Sequence, residues 1–274
     1  MLGDGTFKSC PKFFFQMYTL HAFQNGRYTL CVFCLLPDKK KTTYEKMLEM
    51  LVETTRELQI ELCPEEMLVD LEVSVHAALS STWPSCKIRL CLFHLSQAWF
   101  RKIQELGLAA EYKNNDSGIG QWLKLFFAIP LLPTEKIEEC FAFTLMPIQP
   151  PSDKAEKFAD YIFQQTARFL PAIWAGIDKE DATTTNSCEA FHMHFSKRIC
   201  PRPNIFRFLE TLKHEQEKVN LKIRCVGQPS PKKRKEYRDK KQQKEHLYQQ
   251  YVNGETDLTV YLRQAAKKML PPTL

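Results

Sequence analysis

The order in which extended and helical segments follow one another over the first 92 residues leaves few folds open to this chain. Gly3-Asp4-Gly5-Thr6-Phe7 begins as a short strand, Phe13 to Phe23 is an aromatic and apolar run, and Tyr28 to Leu36 returns after Asn25-Gly26. An Asn-Gly pair between two such runs is a hairpin signal, so three antiparallel strands come first. The aromatic content of Phe13 to Phe23 predicts a largely buried strand. Thr42 to Leu58 then changes period, with Tyr44, Met47, Leu48, Leu51 and Val52 on one helical face. Pro64 to Asp70 reads as a fourth strand, a helix passes through His76 to Leu79, and Lys87 to Leu92 is a fifth strand.

Beyond Leu95 the pattern becomes helical. Leu95 to Leu106, Gly118 to Ala128, Thr134 to Leu145 and Ser152 to Leu170 are candidate helices separated by Gly or Pro. Thr183-Thr184-Thr185-Asn186 caps a further helix carrying Glu189, and another runs from about Asn204 to Arg224. This order is that of a ribonuclease-H-like α/β domain. It has a mixed five-stranded sheet flanked by helices and an all-helical insertion, about 95–182, before the Glu189 helix. We divide the chain into that domain, 1–225, and a basic linker with a C-terminal helical tail, 226–274.

In such a sheet the first and fourth strands are parallel neighbours, so Asp4 and Asp70 approach each other across 66 positions of sequence. Ligands of open α/β sheets collect at the strand carboxyl ends. Taken singly, Asp4 is an ordinary strand-end residue and Glu189 an ordinary first-turn helix carboxylate. Asp70, closing the apolar Met67-Leu68-Val69, requires solvent or a partner. Together the three carboxylates suit hard cations, and two such ions can flank an in-line phosphoryl displacement.

Other constellations are weaker. Cys91-x-x-His94 supplies two zinc-type ligands, and His192-x-His194 is the only evident second pair. Residues two apart on a helix point to different sides, so a buried thiol with a hydrogen-bonded imidazole is favoured over zinc. Cys31-x-x-Cys34 lies inside a strand-like run with no second pair. Ten dispersed cysteines without an export signal read as reduced, and with no apolar run of membrane length they indicate an intracellular protein. Lys232-Lys233-Arg234-Lys235 opens a segment with eight basic against three acidic residues, either a phosphate-contacting or nuclear-address element or a solvated tail. Trp83, Trp99, Trp122 and Trp174 are core candidates, and His21 and His76 structural ones. No phosphate-binding glycine motif or nucleophile elbow appears, which counts against nucleotide cofactors and serine-esterase chemistry.

Three ordered blocks resemble the catalytic domain of Mutator-like element (MULE) transposases. They are Asp4-Gly5-Thr6-Phe7-Lys8; Met67 to Glu72 followed by Trp83-Pro84 and Cys91 to Ala98; and Thr185-Asn186-Ser187-Cys188-Glu189-Ala190-Phe191-His192. Leu71 stands where the family often has Phe, and Ser187 where it often has Asn. The resemblance implies an Asp-Asp-Glu triad of Asp4, Asp70 and Glu189 holding two Mg²⁺ or Mn²⁺ ions, with Cys91, His94, Asn186 and His192 as accessory candidates. It implies nuclear DNA as partner, strand cleavage and transfer as activity, and a homo-oligomer as a candidate assembly. The WRKY or FLYWCH module that often precedes this domain is not in the sequence, which suggests a fragment or a domesticated remnant. The competing expectations are a non-catalytic DNA- or protein-binding protein keeping the transposase fold, and a metal-dependent nuclease that does not join strands.

Overall fold

A computed structural model of the protein describes residues 1–24, 27–176, 185–224 and 235–269. Its first part is a five-stranded sheet in the order β3-β2-β1-β4-β5, with β1 Leu2–Thr6, β2 Gln16–Gln24, β3 Arg27–Leu36, β4 Glu66–Val69 and β5 Lys87–Leu90. β2 runs antiparallel to β1 and β3, while β4 lies parallel to both β1 and β5. The expected α/β class and mixed sheet are therefore present. The Asn25-Gly26 turn lies outside the described residues.

Alternation along the strands sorts the core into two faces. On one, Tyr18, Leu20, Met67 and Val69 pack against Tyr44, Met47 and Leu48 of α1 (Lys41–Glu57) and Val75, Ala78 and Leu79 of α2 (Val73–Thr82). On the other, Leu2 and Leu68 pack with Cys188 of α8 (Asn186–Ser196). Met17 on that side joins Phe195 of α8 and Phe208 of α9 (Ile205–Arg224). Even-numbered Leu68 and odd-numbered Met67 and Val69 thus serve opposite layers, as a two-residue period requires.

One sequence expectation is corrected, and the Cys31–Cys34 reading gains detail. β2 begins at Gln16, so Phe13 to Phe15 precede the strand, with Phe13 84% and Phe15 50% exposed. The Phe14 N–H closes a turn onto the Pro11 carbonyl, and the ladder begins where Gln16 pairs with Leu36. The Cys31-x-x-Cys34 pair is split by the sheet. Cys31 is the extra residue where the β2–β3 register shifts between Leu20 and His21, and Cys34 packs in the α1-side layer.

A second unit comprises α3 (Leu92–Glu105), α4 (Ala109–Lys113), α5 (Gly118–Phe126), α6 (Ile137–Cys140), α7 (Asp153–Arg168), α10 (Lys235–Val252) and α11 (Leu258–Met269). Its core is aromatic: the Trp99 and Trp174 ring centroids are 6.2 Å apart, edge to face, and Trp122 donates to the Leu145 carbonyl at 2.9 Å. The helix expected over Thr134 to Leu145 is divided into a short 3₁₀ turn, α6 and one π turn, which together bury Ile137, Cys140, Phe141 and Leu145. α11 buries Tyr261 and Leu262, so the C-terminal segment contributes to this helical core. Among the described residues no helix is long and apolar enough to cross a membrane.

Candidate active site

β1 is bracketed by two glycines because its neighbours leave no room for side chains. A Cβ on Gly3 would lie 2.6 Å from the Tyr18 hydroxyl oxygen, and one on Gly5 would meet Gln16 Oε1. Between them Asp4 points to the α8 face, 5% exposed, and its Oδ1 accepts a 2.9 Å hydrogen bond from the Gly5 N–H. Tyr18 cannot yield easily, being buried and packed edge to face on Tyr44 at 5.5 Å. Gly3→Ala should therefore destabilise the first unit by about 1–3 kcal/mol. Tyr18→Phe alone removes a buried hydroxyl that has no hydrogen-bond partner among the described residues, and should be neutral or mildly stabilising. Urea titration of both variants checks the pair; a Gly3→Ala protein as stable as the parent would show that the strand can shift.

Leu2 pairs with Leu68 in the parallel β1–β4 register. Two residues further along each chain stand Asp4, inside β1, and Asp70, the residue after β4, on neighbouring strands about 4.8 Å apart. Asp70 lies just past the end of β4. Its Oδ1 accepts from the Glu72 N–H at 3.1 Å, and its carbonyl accepts from His76 Nε2 at 2.7 Å. Glu72 is otherwise committed: its carboxylate takes Lys39 Nζ at 2.6 Å and the Tyr44 hydroxyl at 2.7 Å. Tyr44 in turn accepts from Gln16 Nε2 at 2.5 Å.

The third carboxylate comes from α8. The Thr185 N–H and hydroxyl both donate to Cys91 Sγ, at 3.3 and 3.4 Å, and the Thr185 carbonyl receives the N–H groups of Cys188 and Glu189. This fixes the start of the helix behind β5 and brings Cys188 onto Leu2 and Leu68. Glu189 is the next residue, its Oε1 buried. One turn on, His192 sets Nδ1 3.4 Å from Asp4 Oδ2 and Nε2 3.0 Å from Thr19 Oγ1. The Thr19 hydroxyl also donates to the Asp4 carbonyl at 3.3 Å. Cys188, His192 and Phe195 are buried at helical spacing, whereas His194 is exposed.

Two buried groups report the shared field of the acids. The Cys188 thiol is held well above its usual range by burial and then by the nearby Asp4, Cys91 and Glu189 charges. Tyr18 is likewise raised, by burial first, then by Asp70, Tyr44 and Asp4. Asp4 acts on both groups, together with Glu189 on Cys188 and together with Asp70 on Tyr18. Among the described residues, no three His, Cys, Asp or Glu side chains stand close enough to hold a metal ion as they are placed.

The accessory candidates divide. Cys91 anchors Thr185 and His192 braces Asp4, while His94 lies on α3 edge to face with Phe93 at 5.7 Å. The Asn186 side chain lies outside the described residues, as do Lys232, Lys233 and Arg234; Lys235 opens α10, its side chain not described. The sequence did not single out Thr19 and Tyr18, because their positions relative to Asp4 depend on strand register. Glu72 follows Asp70 in the sequence by two positions, and nothing local distinguishes its role.

Sheet order and acidic strand ends together define an open, mixed α/β domain consistent with a ribonuclease-H-like fold. Residues 1–98, covering all five strands and the opening of α3, match the family model of the MULE transposase domain. Glu189 and α8 lie outside the matched span. No curated protein and no solved structure matches the chain.

Proposed function

We propose that the protein is a transposase-type domain that cleaves and transfers DNA strands by metal-assisted phosphoryl transfer, with Asp4, Asp70 and Glu189 as the ion ligands. The observation supporting this reading is that Asp4, in β1, and Asp70, the residue after β4, fall on neighbouring parallel strands inside the matched segment. The donor chemistry fits a hard cation. All three groups offer carboxylate oxygen, and a carboxylate as buried as Asp4 near other negative groups is eased by positive charge. When bound, Mg²⁺ or Mn²⁺ would neutralise phosphate charge and lower the pKa of an attacking water or hydroxyl.

The chain's own residues perform the orienting work. Gly5 N–H fixes Asp4 Oδ1, His192 and Thr19 hold the opposite side of that residue, and Glu72 N–H fixes Asp70 Oδ1. The basic run at Lys232–Lys235 would supply phosphate contacts and a nuclear address in this reading.

A second reading, a DNA-binding protein that keeps the fold without the chemistry, is favoured by the engagement of Asp4 with His192. Supercoiled DNA incubated with the full chain and Mg²⁺ separates the two. The first reading expects nicking that Asp4→Asn reduces at least about 100-fold. Salt-sensitive binding that survives Asp4→Asn, with no nicking by either protein, would establish the second.

A further inference from the structure

Residues 7–15, between β1 and β2, hold four phenylalanines, and three of the rings face solvent: Phe7 at 45%, Phe13 at 84% and Phe15 at 50% exposure. The segment is not loosely attached. Cys10 and Phe14 are packed into the cluster of Phe195 and Phe208. Backbone hydrogen bonds run from Cys10 to Phe7, Phe14 to Pro11, Phe15 to Leu36 and Arg202 to Lys8, at 2.8–3.3 Å. Arg202 is held in the left-handed region, φ 51°, to make the last of these. A pinned loop that keeps several large apolar rings in water forgoes the free energy of burying them, which marks a surface built for a partner.

The cations around these rings identify the partner's chemistry. Lys8, Lys12 and Arg202 are exposed and make no ion pair among the described residues. Lys39 Nζ sits 4.8 Å from the Phe7 ring centroid, and Phe7 meets Phe15 edge to face at 5.5 Å. A pocket of about 450 Å³ opens here, lined by Phe7, Lys12, Phe13, Phe15, Pro37 and Arg202. The unpaired charges of Lys8, Lys12 and Arg202 beside these exposed rings suit an anionic polymer bearing flat rings, whereas Lys39 is already paired with Glu72. Duplex DNA, its bases stacked inside, would use only the cations.

We propose that Phe7–Phe15 is a stacking platform for unpaired nucleotides of a DNA strand passing beside Asp4, which lies three residues before Phe7. The choice of DNA as polymer rests on the transposase reading; the stacking itself does not involve the metal ligands.

The test is fluorescence anisotropy of the full chain, in EDTA, with a labelled oligothymidine and with a blunt duplex of equal length. Phe13→Ala should weaken oligothymidine binding about tenfold and change duplex binding less than about twofold. Phe13→Trp should keep the affinity, and Lys12→Ala should reduce the salt slope on the single strand by about 0.7. Phe13 is so exposed that its replacement leaves the core intact. Unchanged oligothymidine affinity in Phe13→Ala, or equal loss on both DNA forms, overturns the proposal. So does Phe13-dependent binding to phosphatidylserine vesicles with oligothymidine binding unaffected. Because EDTA is present throughout, failure here leaves the metal site untouched, and failure of the metal site leaves this result standing.

Discussion

Replacing Asp70 by Asn is expected to lower Mn²⁺ affinity at least about 100-fold, the loss anticipated when a direct ligand rather than a supporting residue is removed. The change is close to isosteric. The Asn carbonyl oxygen can still accept the 3.1 Å bond from Glu72 N–H, and the His76 bond is to the Asp70 backbone carbonyl, so neither anchor is lost. Thermal unfolding should consequently be near that of the parent while isothermal titration shows metal uptake gone. Glu72 is the rival carboxylate in the same loop. Both of its oxygens are occupied, by Lys39 and Tyr44, so Glu72→Gln should retain Mn²⁺ binding and instead loosen the contact between α1 and the Asp70 loop. Equal Mn²⁺ uptake by the parent and the Asp70→Asn protein would remove Asp70 from the site.

That Asp70 could be chosen from sequence reflects how much of the sheet was local information. Each strand carried its own period, and the ribonuclease-H-like order of strands and helices sets the first and fourth strands side by side, the parallel β1–β4 neighbours of the structure. What remained hidden depended on contacts distant in sequence. Thr19 stands opposite Asp4 only because β1 and β2 pair in one particular register, and a slip by one residue would have placed Tyr18 there instead. Phe13 to Phe15 looked like strand because aromatic residues carry the same β signal whether they are buried or displayed. The start of pairing at Gln16 decided otherwise. His192 was legible in principle: Cys188, His192 and Phe195 recur at i, i+4 and i+7, which marks one helix face and separates His192 from exposed His194. In the C-terminal segment a strong basic charge masked Tyr261 and Leu262, the residues that pack into the helical unit.

Acid should destabilise the first unit chiefly through His21. This residue is 3% exposed on β2, lies edge to face with Phe191 at 5.9 Å, and has a buried Nε2 without a hydrogen-bond partner among the described residues. Burial, and after it the charge of His192, pushes its pKa from 6.5 down to about 4, while Asp4 opposes the shift. The unfolded chain therefore binds a proton that the folded chain refuses between those values. Folding free energy is unaffected above pH 6.5 and declines as the pH falls toward 4, where the loss reaches about 3 kcal/mol. His76, also lowered by burial, adds a smaller effect of the same sign. Urea midpoints measured from pH 7 to 4 should fall steeply in the parent and much less in His21→Leu, which removes the titrating ring and leaves the His76 contribution. If the two proteins lose stability in parallel, the proton is being taken up elsewhere, and the buried imidazole beside Asp4 is not the group that limits the fold in acid.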